Sequence, residues 1–257
     1  METKQAGHAE SLAAEARAFD VVLAAGGDGT MSQVVNGVLS IDDWRGAVGL
    51  IPLGSGNDLA RSLKIKAEDI PVLLRKNQPR LFDVGEVKFD DGSRRFFINE
   101  CSMGMGPEVV RRIEGSRMLG PSLTYLKAII TTFFTHKPES VHIKSPGFEW
   151  EGDVRVLAVA NGKAFGHSIY IAPDAEMVDG KLNLFTCRGL PLVKFLMYLQ
   201  AIKTPKKIDD RKWIDYREIE EIRIESPKAM PVEADGELIG STPLSCRVIQ
   251  KKIKLLA

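Results

Sequence analysis

The sequence predicts a two-domain protein, in which an α/β domain over residues 1–80 precedes a mostly antiparallel β-sandwich over residues 81–257. The first observation behind this fold class is that a buried strand, a glycine loop and a helix follow one another twice in the first domain. That order is typical of a doubly wound parallel sheet. The second observation is that short strand-like segments separated by turn residues follow Pro79, which favours a sandwich. The C-terminal strand is a candidate to return to the first domain.

The first domain is predicted element by element from hydrophobic periodicity and glycine punctuation. Continuous apolar runs indicate strands buried on both faces of a parallel sheet, and apolar residues at helical spacing indicate helices. The predicted elements are helix 9–17, strand 21–25, helix 31–39, strand 47–52, a helix capped by Asn57 or Asp58, and helix 68–76.

The second domain is predicted from short strand-like segments and from the turn signal Asp-Asp-Gly-Ser at residues 90–93. The predicted strands are 83–89, 94–102, 140–144, 154–161, 168–172, 181–187, 218–225, 230–234 and 245–255, and the predicted helices are 121–134 and 190–203. We expect the functional site in the crevice between the two domains.

Composition and charge exclude several classes of protein. The chain has 35 Lys and Arg against 34 Asp and Glu, and this balance gives no support for nucleic-acid binding. Three widely separated cysteines without a CxxC pair indicate no zinc or redox motif and fit a reducing compartment. The polar N-terminal segment and the short apolar runs predict neither a signal peptide nor a membrane-spanning helix, so we expect a cytoplasmic protein.

The first motif is Gly26-Gly27-Asp28-Gly29-Thr30, which separates a predicted strand from a predicted helix. Glycines allow the backbone to approach a phosphate, and the next helix points its N-terminal N–H groups at that anion. Asp28 can hold magnesium, directly or through water, and Thr30 can donate its hydroxyl to a phosphate. The alternative is a turn that only needs glycines, but the flanking strand and helix favour a nucleotide site.

The second motif is Ile-Pro-Leu-Gly-Ser-Gly-Asn-Asp-Leu-Ala-Arg at residues 51–61, a second glycine loop at a strand end. A capped helix is the alternative for this segment taken alone. The sequence contains no Walker A motif, no protein-kinase HRD or DFG motif and no GxGxxG. It therefore indicates a different way of binding phosphate.

Together these motifs resemble the catalytic domain shared by diacylglycerol, sphingosine and ceramide kinases and their bacterial relatives. GGDGT alone also occurs in NAD kinases and, as a variant, in phosphofructokinases, whereas the segment 52–61 favours the lipid-kinase branch. Two further segments match that branch, namely Asp-Gly-Glu at 235–237 and the pair formed by 172–175 and 179–182. The resemblance covers nearly the whole chain, with its motifs in the family's order.

The resemblance implies an NAD-kinase-like, Rossmann-like three-layer domain that binds ATP as co-substrate, with the acceptor in the interdomain cleft. By the family pattern, the nucleotide contacts are Thr3, Gly26, Gly27, Asp28, Gly29, Thr30, Met31, Ser32, Gly54, Ser55, Asn57 and Asp58.

The resemblance also implies a general base in the Asp-Gly-Glu motif, at Asp235 or Glu237, whose roles the sequence leaves unseparated. A plain β-turn is the alternative for residues 235–236. The family's magnesium site in the second domain maps to Asp179, with contributions from Glu176 and the backbone of Lys181. A hairpin aspartate is the alternative for Asp179.

The implied reaction is phosphorylation of a lipid hydroxyl, on diacylglycerol or a related lipid alcohol, at the inner face of a membrane. Apolar helices with basic neighbours at 118–134, preceded by Arg117, and at 190–198 can lie on anionic lipid, and packing on their own sheet is the alternative. Residues 162–167 are a candidate border of the acceptor cleft, with His167 interpreted as structural. Two other functions stay open, a kinase of a soluble acceptor such as NAD and a non-catalytic remnant that binds nucleotide or lipid. A homodimer is expected by analogy only.

The sequence departs from the family pattern at its start. It begins just before Thr3, without the strand and Asn-Pro-x-x-G phosphate loop with which the family opens. An upstream start codon, a fragment, or a chain that has lost activity would each explain this departure. In addition, Met31-Ser32 stands where the family usually has Leu-Asn.

Overall fold

The computed structural model describes residues 1–5, 7–114, 121–166 and 168–257. Its helices are α1 (His8–Ala14), α2 (Asp28–Leu39), α3 (Asp58–Leu63), α4 (Ile70–Lys76), α5 (Met105–Glu114), α6 (Pro121–Thr135) and α7 (Leu192–Ala201), with short 3-10 turns at Ala16–Ala18 and Ala67–Asp69. Its strands are β1 (Val21–Gly26), β2 (Ala47–Pro52), β3 (Arg80–Phe89), β4 (Arg94–Phe97), β5 (Glu100–Gly104), β6 (Glu139–Ser145), β7 (Phe148–Ala160), β8 (Leu182–Arg188), β9 (Ile214–Ile219), β10 (Glu221–Glu225), β11 (Pro231–Ala234), β12 (Glu237–Ser241) and β13 (Leu244–Leu255).

The described strands are joined by hydrogen bonds into one continuous network. Its main path runs β1-β2-β13-β10-β6-β7-β5-β11-β12, while β3 and β4 extend from β13, and β8 and β9 extend from β7. β1 and β2 are parallel, whereas the pairs in the second half of the chain are antiparallel. The predicted fold class, an α/β domain followed by a mostly antiparallel β-sandwich, is confirmed.

The C-terminal strand β13 connects the two halves of the network. Most of β13 runs antiparallel to β3, from Leu244 opposite Phe89 to Leu255 opposite Arg80. Near its end it also pairs in parallel with β2, through Leu255 and Val48. The parallel strands of the first half are therefore held against the antiparallel second half by backbone hydrogen bonds.

Three apolar clusters form the core. One lies between the first helices and the parallel strands and contains Met31, Val35 and Leu59. Another fills the sandwich, and a third lies beneath α5, α6 and α7, where Phe133 packs with its ring centroid 3.9 Å from that of Phe195. A cavity remains within this third cluster, between the helices and the sheet.

Three expectations about secondary structure were wrong. Residues 168–172 form no strand beyond an isolated bridge between Phe165 and Ile169, because Gly166 and Ser168 adopt positive φ angles of 55° and 70° that turn the chain. Two predicted strands are each divided, 94–102 between β4 and β5 and 218–225 between β9 and β10. Finally, α5 and β12 were not predicted, because the Gly106-Pro107 pair that opens α5 reads as a loop although proline is compatible with a first helical turn.

Candidate active site

A cleft of about 620 Å³ lies where the two glycine loops face the end of the β11–β12 hairpin. Its described lining combines both loops with α5, α6 and the start of β5: Gly27, Asp28, Gly29, Gly54, Ser55, Gly56, Asp58, Asn99, Glu100, Gly106, Val110, Ile113, Thr124, Tyr125, Phe165, Gly166, Glu233, Asp235 and Gly236. Five of these residues carry carboxylates and none is Lys, Arg or His. An anionic ligand in this cleft therefore depends on backbone N–H groups, helix N-termini and a bound cation for neutralisation.

The two glycine loops touch each other through their backbones. The N–H groups of Leu53 and Gly54 both donate to the carbonyl of Gly26, at 2.9 and 3.2 Å. A Cβ atom placed on Gly54 would lie 2.4 Å from the Cα of Gly27, so no side chain fits there. The glycines of the second motif are thus explained by contact with the first, a relation that neither motif shows alone.

Asp28 fixes the second loop against the first. Its two carboxylate oxygens accept hydrogen bonds from the backbone N–H groups of Asp58 and Leu59, at 3.1 and 3.0 Å. Asp28 therefore caps the N-terminus of α3 from another element, as a negative charge at the positive end of that helix. Each oxygen keeps acceptor capacity and Asp28 lines the cleft, so the carboxylate can still serve a cation or a bound water.

Gly29 has the geometry expected of a phosphate contact. A Cβ atom added to Gly29 would meet no atom within 4 Å, so the backbone at the start of α2 is open to the cleft. The side chain of Thr30 instead packs over Gly26, where an added Cβ would lie 2.4 Å from the Thr30 hydroxyl oxygen. An exposed backbone at a helix start, together with Ser55 opposite, fits a nucleotide phosphate.

Six of the predicted nucleotide contacts lie outside the described lining of the cleft, namely Thr3, Gly26, Thr30, Met31, Ser32 and Asn57. The side chains of Met31 and Ser32 are buried in the first apolar core, each 1% exposed. Thr3 lies in an exposed N-terminal segment without regular structure. Their assignment to the nucleotide stays a prediction from the family pattern.

Asn57 and Asp58 hold the second loop in place. Asn57 adopts a left-handed conformation with φ of 52° just before α3, and its side-chain amide donates to the carbonyl of Gly54 at 2.7 Å. Its Oδ1 is buried and has no hydrogen-bond partner among the described residues. Asp58 forms an ion pair with Arg61 at 2.5 Å and accepts the backbone N–H of Ser168 at 2.8 Å. Asp58 therefore bridges the nucleotide side of the cleft and the loop on its far side.

Asp235 lies in the cleft at the tip of the β11–β12 hairpin. With Gly236 it forms the two-residue turn, and both residues have positive φ angles, 49° and 86°, as an Asp-Gly hairpin turn requires. The β-turn and the catalytic interpretation of this pair are therefore compatible. Asp235 is 7% exposed, which places a nearly buried carboxylate at the bottom of the cleft.

The carboxylate of Asp235 is held by three backbone donors. It accepts the N–H groups of Ile98 and Asn99, both at 2.8 Å, and that of Glu100 at 3.1 Å. Ile98 and Asn99 are the residues at which the predicted strand 94–102 breaks, because their N–H groups bond to a side chain and not to a neighbouring strand. Burial raises the pKa of Asp235 to about 6, against the opposing effect of the three N–H donors. A carboxylate with this pKa is ionised at neutral pH and basic enough to take a proton.

Glu237, the other candidate base, does not line the cleft. Its carboxylate forms an ion pair with Arg95 at 2.9 Å and accepts a hydrogen bond from the amide of Gln33 at 2.5 Å. Arg95 also pairs with Glu10 of α1 at 2.5 Å. Glu237 thus connects the hairpin that carries Asp235 to α1, which precedes the first glycine loop, and to α2, which follows it.

Glu100 and Glu233 are buried acidic residues of the cleft that the sequence analysis missed. They are 2% and 1% exposed. Glu233 accepts hydrogen bonds from the hydroxyl of Ser102 and from the N–H of Gly236. The only signal in the sequence is a glutamate inside an otherwise apolar strand, as in Ile-Asn-Glu-Cys and Pro-Val-Glu-Ala.

The predicted magnesium residues of the second domain lie on an exposed turn. Asp179 accepts the N–H of Lys181 at 3.0 Å, which is the hairpin geometry of the alternative interpretation, and Lys181 forms an ion pair with Glu218. Glu176 is exposed. No three His, Cys, Asp or Glu side chains in the described ranges converge to hold a metal ion. The predicted set contains only two such side chains, so this magnesium site stays a prediction.

An apolar cavity of about 120 Å³ adjoins the cleft. The two share Gly106, Tyr125 and Phe165 in their linings, and the cavity continues between α5, α6, α7 and the sheet. Its walls are aliphatic and aromatic apart from Arg155, whose guanidinium donates to two carbonyls at the end of α6. The cleft with Asp235 therefore opens into a space that suits hydrocarbon.

The outer faces of α6 and α7 carry exposed apolar side chains: Leu123, Phe134, Leu192, Val193, Leu196 and Met197, between 40% and 70% exposed. Helices over the third apolar core thus have a second apolar face toward solvent. Arg117, Met118, Leu119 and His167 lie outside the described residues. None of the described helices has the length and hydropathy needed to cross a membrane.

Comparison with known proteins agrees with this arrangement. The model of the diacylglycerol kinase catalytic domain matches residues 1–87, and that of the YegS C-terminal NAD kinase beta sandwich-like domain matches residues 99–257. Diacylglycerol kinase of Bacillus subtilis is 31% identical over 94% of this chain and 79% of its own length. A protein of Alcanivorax borkumensis named "Probable lipid kinase YegS-like" is 30% identical over 98% of this chain and 84% of its own length. The crystal structure of a diacylglycerol kinase from Bacillus anthracis has a TM-score of 0.76 and 21% identity, covering 100% of this chain and 83% of that one, which shows the same fold.

Proposed function

Because the chain belongs to the family of diacylglycerol kinases and YegS-like lipid kinases, we propose that it transfers a phosphoryl group from magnesium-bound ATP to the hydroxyl of diacylglycerol or a related lipid alcohol. The observation that carries the lipid acceptor is the position of Asp235. It lies in a cleft bounded on one side by two glycine loops and opening on the other into an apolar cavity.

The glycine loops bind the phosphates in this proposal. The open backbone at Gly29, the start of α2 and Ser55 contact the phosphate oxygens, since helix N-termini favour negative charge. Asp28 is the residue of this side that would hold magnesium, directly or through water. Magnesium would supply the positive charge that stabilises the spreading negative charge of phosphoryl transfer, which the described lining itself does not provide.

Asp235 is the general base in this proposal. It accepts the proton of the lipid hydroxyl while that oxygen attacks the terminal phosphorus of ATP in line with the leaving group. Its three backbone donors hold the carboxylate in one orientation, and a carboxyl with a pKa of about 6 is ionised at pH 7. Glu237 positions the hairpin through Arg95 and does not touch the reacting atoms.

The apolar surroundings of the cleft favour a lipid over a soluble acceptor such as NAD. A dinucleotide needs polar partners for a second ribose and base, whereas the wall beyond Tyr125 and Phe165 is apolar apart from Arg155. The exposed apolar faces of α6 and α7 allow these helices to lie on a bilayer, with access to the cleft from the membrane surface. This arrangement supports peripheral contact of a cytoplasmic protein with the inner face of the membrane.

The test measures ATP-dependent phosphorylation of diacylglycerol in mixed micelles, with and without magnesium, and of NAD in solution. We compare the wild type with Asp235→Asn, whose amide oxygen still accepts the N–H groups of Asn99 and Glu100 but takes up no proton. Asp153→Asn, an exposed aspartate on β7, is the matched control. We expect magnesium-dependent lipid turnover that falls by at least about 100-fold in Asp235→Asn alone. Phosphorylation of NAD but of no lipid would overturn the proposal, and nucleotide binding without turnover would indicate a non-catalytic protein.

A further inference from the structure

The side chain of Glu100 is the one buried acidic group of the cleft with an unused oxygen among the described residues. Glu100 begins β5, is 2% exposed and lines the cleft. Its Oε2 is buried and has no hydrogen-bond partner. Since an unpaired buried polar atom costs about 1–3 kcal/mol, a structure normally retains one only where a ligand or water pairs with it.

Glu100 is fixed next to the proposed base. Its backbone N–H donates to the Asp235 carboxylate at 3.1 Å, and its backbone carbonyl accepts the N–H of Asp235 at 3.0 Å. This two-way contact aligns β5 with the tip of the β11–β12 hairpin. A ligand whose hydroxyl reaches Asp235 therefore passes within the same part of the cleft as the Glu100 side chain.

The side chain of Glu100 is hydrogen-bonded to that of Glu233. Burial, with the nearby carboxylates of Glu233 and Asp235, raises the pKa of Glu100 well above its usual value. Burial also raises the pKa of Glu233, but the hydrogen bond between the two glutamates opposes that rise at Glu233 and adds to it at Glu100, so Glu100 holds the shared proton and donates it. The free Oε2 is then a carbonyl-like acceptor that requires a donor from the ligand.

We propose that Glu100 determines acceptor specificity, its free oxygen accepting a hydrogen bond from a second donor group on the lipid, beside the hydroxyl that Asp235 deprotonates. This inference rests on the proposed function and narrows its substrate class. The chemistry required is a hydroxyl or an amine next to the reacting hydroxyl, as in a monoacylglycerol or a single-chain amino alcohol. A diacylglycerol offers only an ester at that position, which accepts hydrogen bonds and cannot donate one.

The apolar cavity agrees with an acceptor of this kind. The cavity, of about 120 Å³, joins the cleft beside Tyr125 and Phe165. It accommodates one hydrocarbon chain more easily than two. A lipid with one chain and a second free donor would place its polar end between Asp235 and Glu100, with its hydrocarbon toward α6 and α7.

The experiment compares kcat/KM for three micellar acceptors with matched chains: a 1-monoacylglycerol, a 1,2-diacylglycerol and a long-chain 2-amino-1,3-diol. The variants are Glu100→Gln, Glu100→Met and, as a buried glutamate outside the cleft, Glu86→Gln. A glutamine amide donates to Glu233 and presents its carbonyl to the cleft, as the protonated glutamate does. Methionine has a similar length and presents no such oxygen. Melting temperatures establish that each variant is folded.

We expect kcat/KM of the wild type to be higher for the monoacylglycerol or the amino alcohol than for the diacylglycerol, by about tenfold or more. Glu100→Met should abolish that preference, Glu100→Gln should retain it for the monoacylglycerol, and Glu86→Gln should leave it unchanged. Glu100→Gln should also retain the preference for the amino alcohol, because the protonated glutamate and the amide are both uncharged and present the same kind of oxygen to the cleft. Equal losses on all three lipids in Glu100→Met, or a wild type that prefers diacylglycerol, would overturn the inference while the lipid-kinase function stands. A wild type that phosphorylates none of the lipids would overturn both.

Discussion

Single Gly→Ala substitutions in the two glycine loops should change stability and nucleotide binding separately. The loops are in contact at Gly54, whereas the backbone of Gly29 is open. In Gly54→Ala the new Cβ would lie 2.4 Å from the Cα of Gly27, and backbone atoms cannot move aside as the end of a flexible side chain can. Overpacking of this kind costs about 1–3 kcal/mol. For a chain of this size, that loss lowers the melting temperature by roughly 2–12 °C.

Gly29→Ala should leave the stability of the protein intact and weaken ATP binding. Its Cβ would meet no atom within 4 Å, and alanine is favoured over glycine in a helix by up to about 1 kcal/mol, so the melting temperature should stay or rise. The methyl group would, however, occupy the open backbone against which the nucleotide phosphate is proposed to pack. Losing one hydrogen bond to a charged group costs about 1.5–3 kcal/mol, or at least about tenfold in ATP affinity.

Gly37→Ala is the matched control, because its Cβ would lie 2.4 Å from the backbone oxygen of Glu10 in α1, away from the cleft. It should lower the melting temperature and leave the ATP affinity of the folded protein unchanged. Differential scanning calorimetry without nucleotide and titration calorimetry with magnesium-ATP measure the two quantities. The reasoning is refuted if Gly29→Ala binds ATP as tightly as the wild type, or if Gly54→Ala is as stable as it.

Three further predictions concern the rest of the site. A base with a pKa of about 6 must lose its proton to act, so kcat/KM should rise with pH through about 6 and then level off; a profile flat from pH 5 to 8 would exclude Asp235 as the base. Glu237→Gln removes a half-buried ion pair with Arg95 and should cost up to about 1 kcal/mol, seen as a small fall in melting temperature, with turnover kept within a few-fold; a loss of turnover as large as that of Asp235→Asn would contradict its positioning role. The double variant Val193→Glu with Met197→Glu should reduce co-sedimentation with anionic vesicles while leaving turnover of a dispersed short-chain lipid intact; unchanged sedimentation would show that α7 faces away from the membrane.

The nucleotide side of the site could be predicted from the sequence because it depends on local order. In each motif an apolar strand, glycines and a helix follow directly, and β2 begins and ends where its apolar run does, at Ala47 and Pro52. What the sequence could not give was the contact between the loops. Gly27 and Gly54 follow β1 and β2, and the parallel pairing of these two strands brings them together.

The acceptor side depends on pairings between distant residues, so the sequence left it ambiguous. Asp235 and Glu237 belong to one motif and look equivalent as carboxylates. The hairpin turn gives them different surroundings. Asp235 lies at the tip of the turn in the cleft, whereas Glu237, two residues later, forms an ion pair with Arg95 on another element. Glu100 could not be identified from the sequence, because the pattern of apolar and polar residues along a strand indicates which residues are buried but not which strand lies opposite.

Polar contacts join the two sides of the site in addition to the apolar cluster that Met31 shares with Phe96 and Ile98, and these contacts have a consequence for how the reaction geometry is set. Buried Asn36 of α2 exchanges two hydrogen bonds of 2.9 Å with the backbone of Phe96, and Asp58 reaches across the cleft to Ser168. Each bond fixes direction as well as distance, unlike apolar packing, which is non-directional. The distance between the phosphate loops and Asp235 therefore depends on a few directional bonds, among them that of Glu237. Substitutions at those bonds should change the in-line geometry of transfer before they unfold either half of the chain.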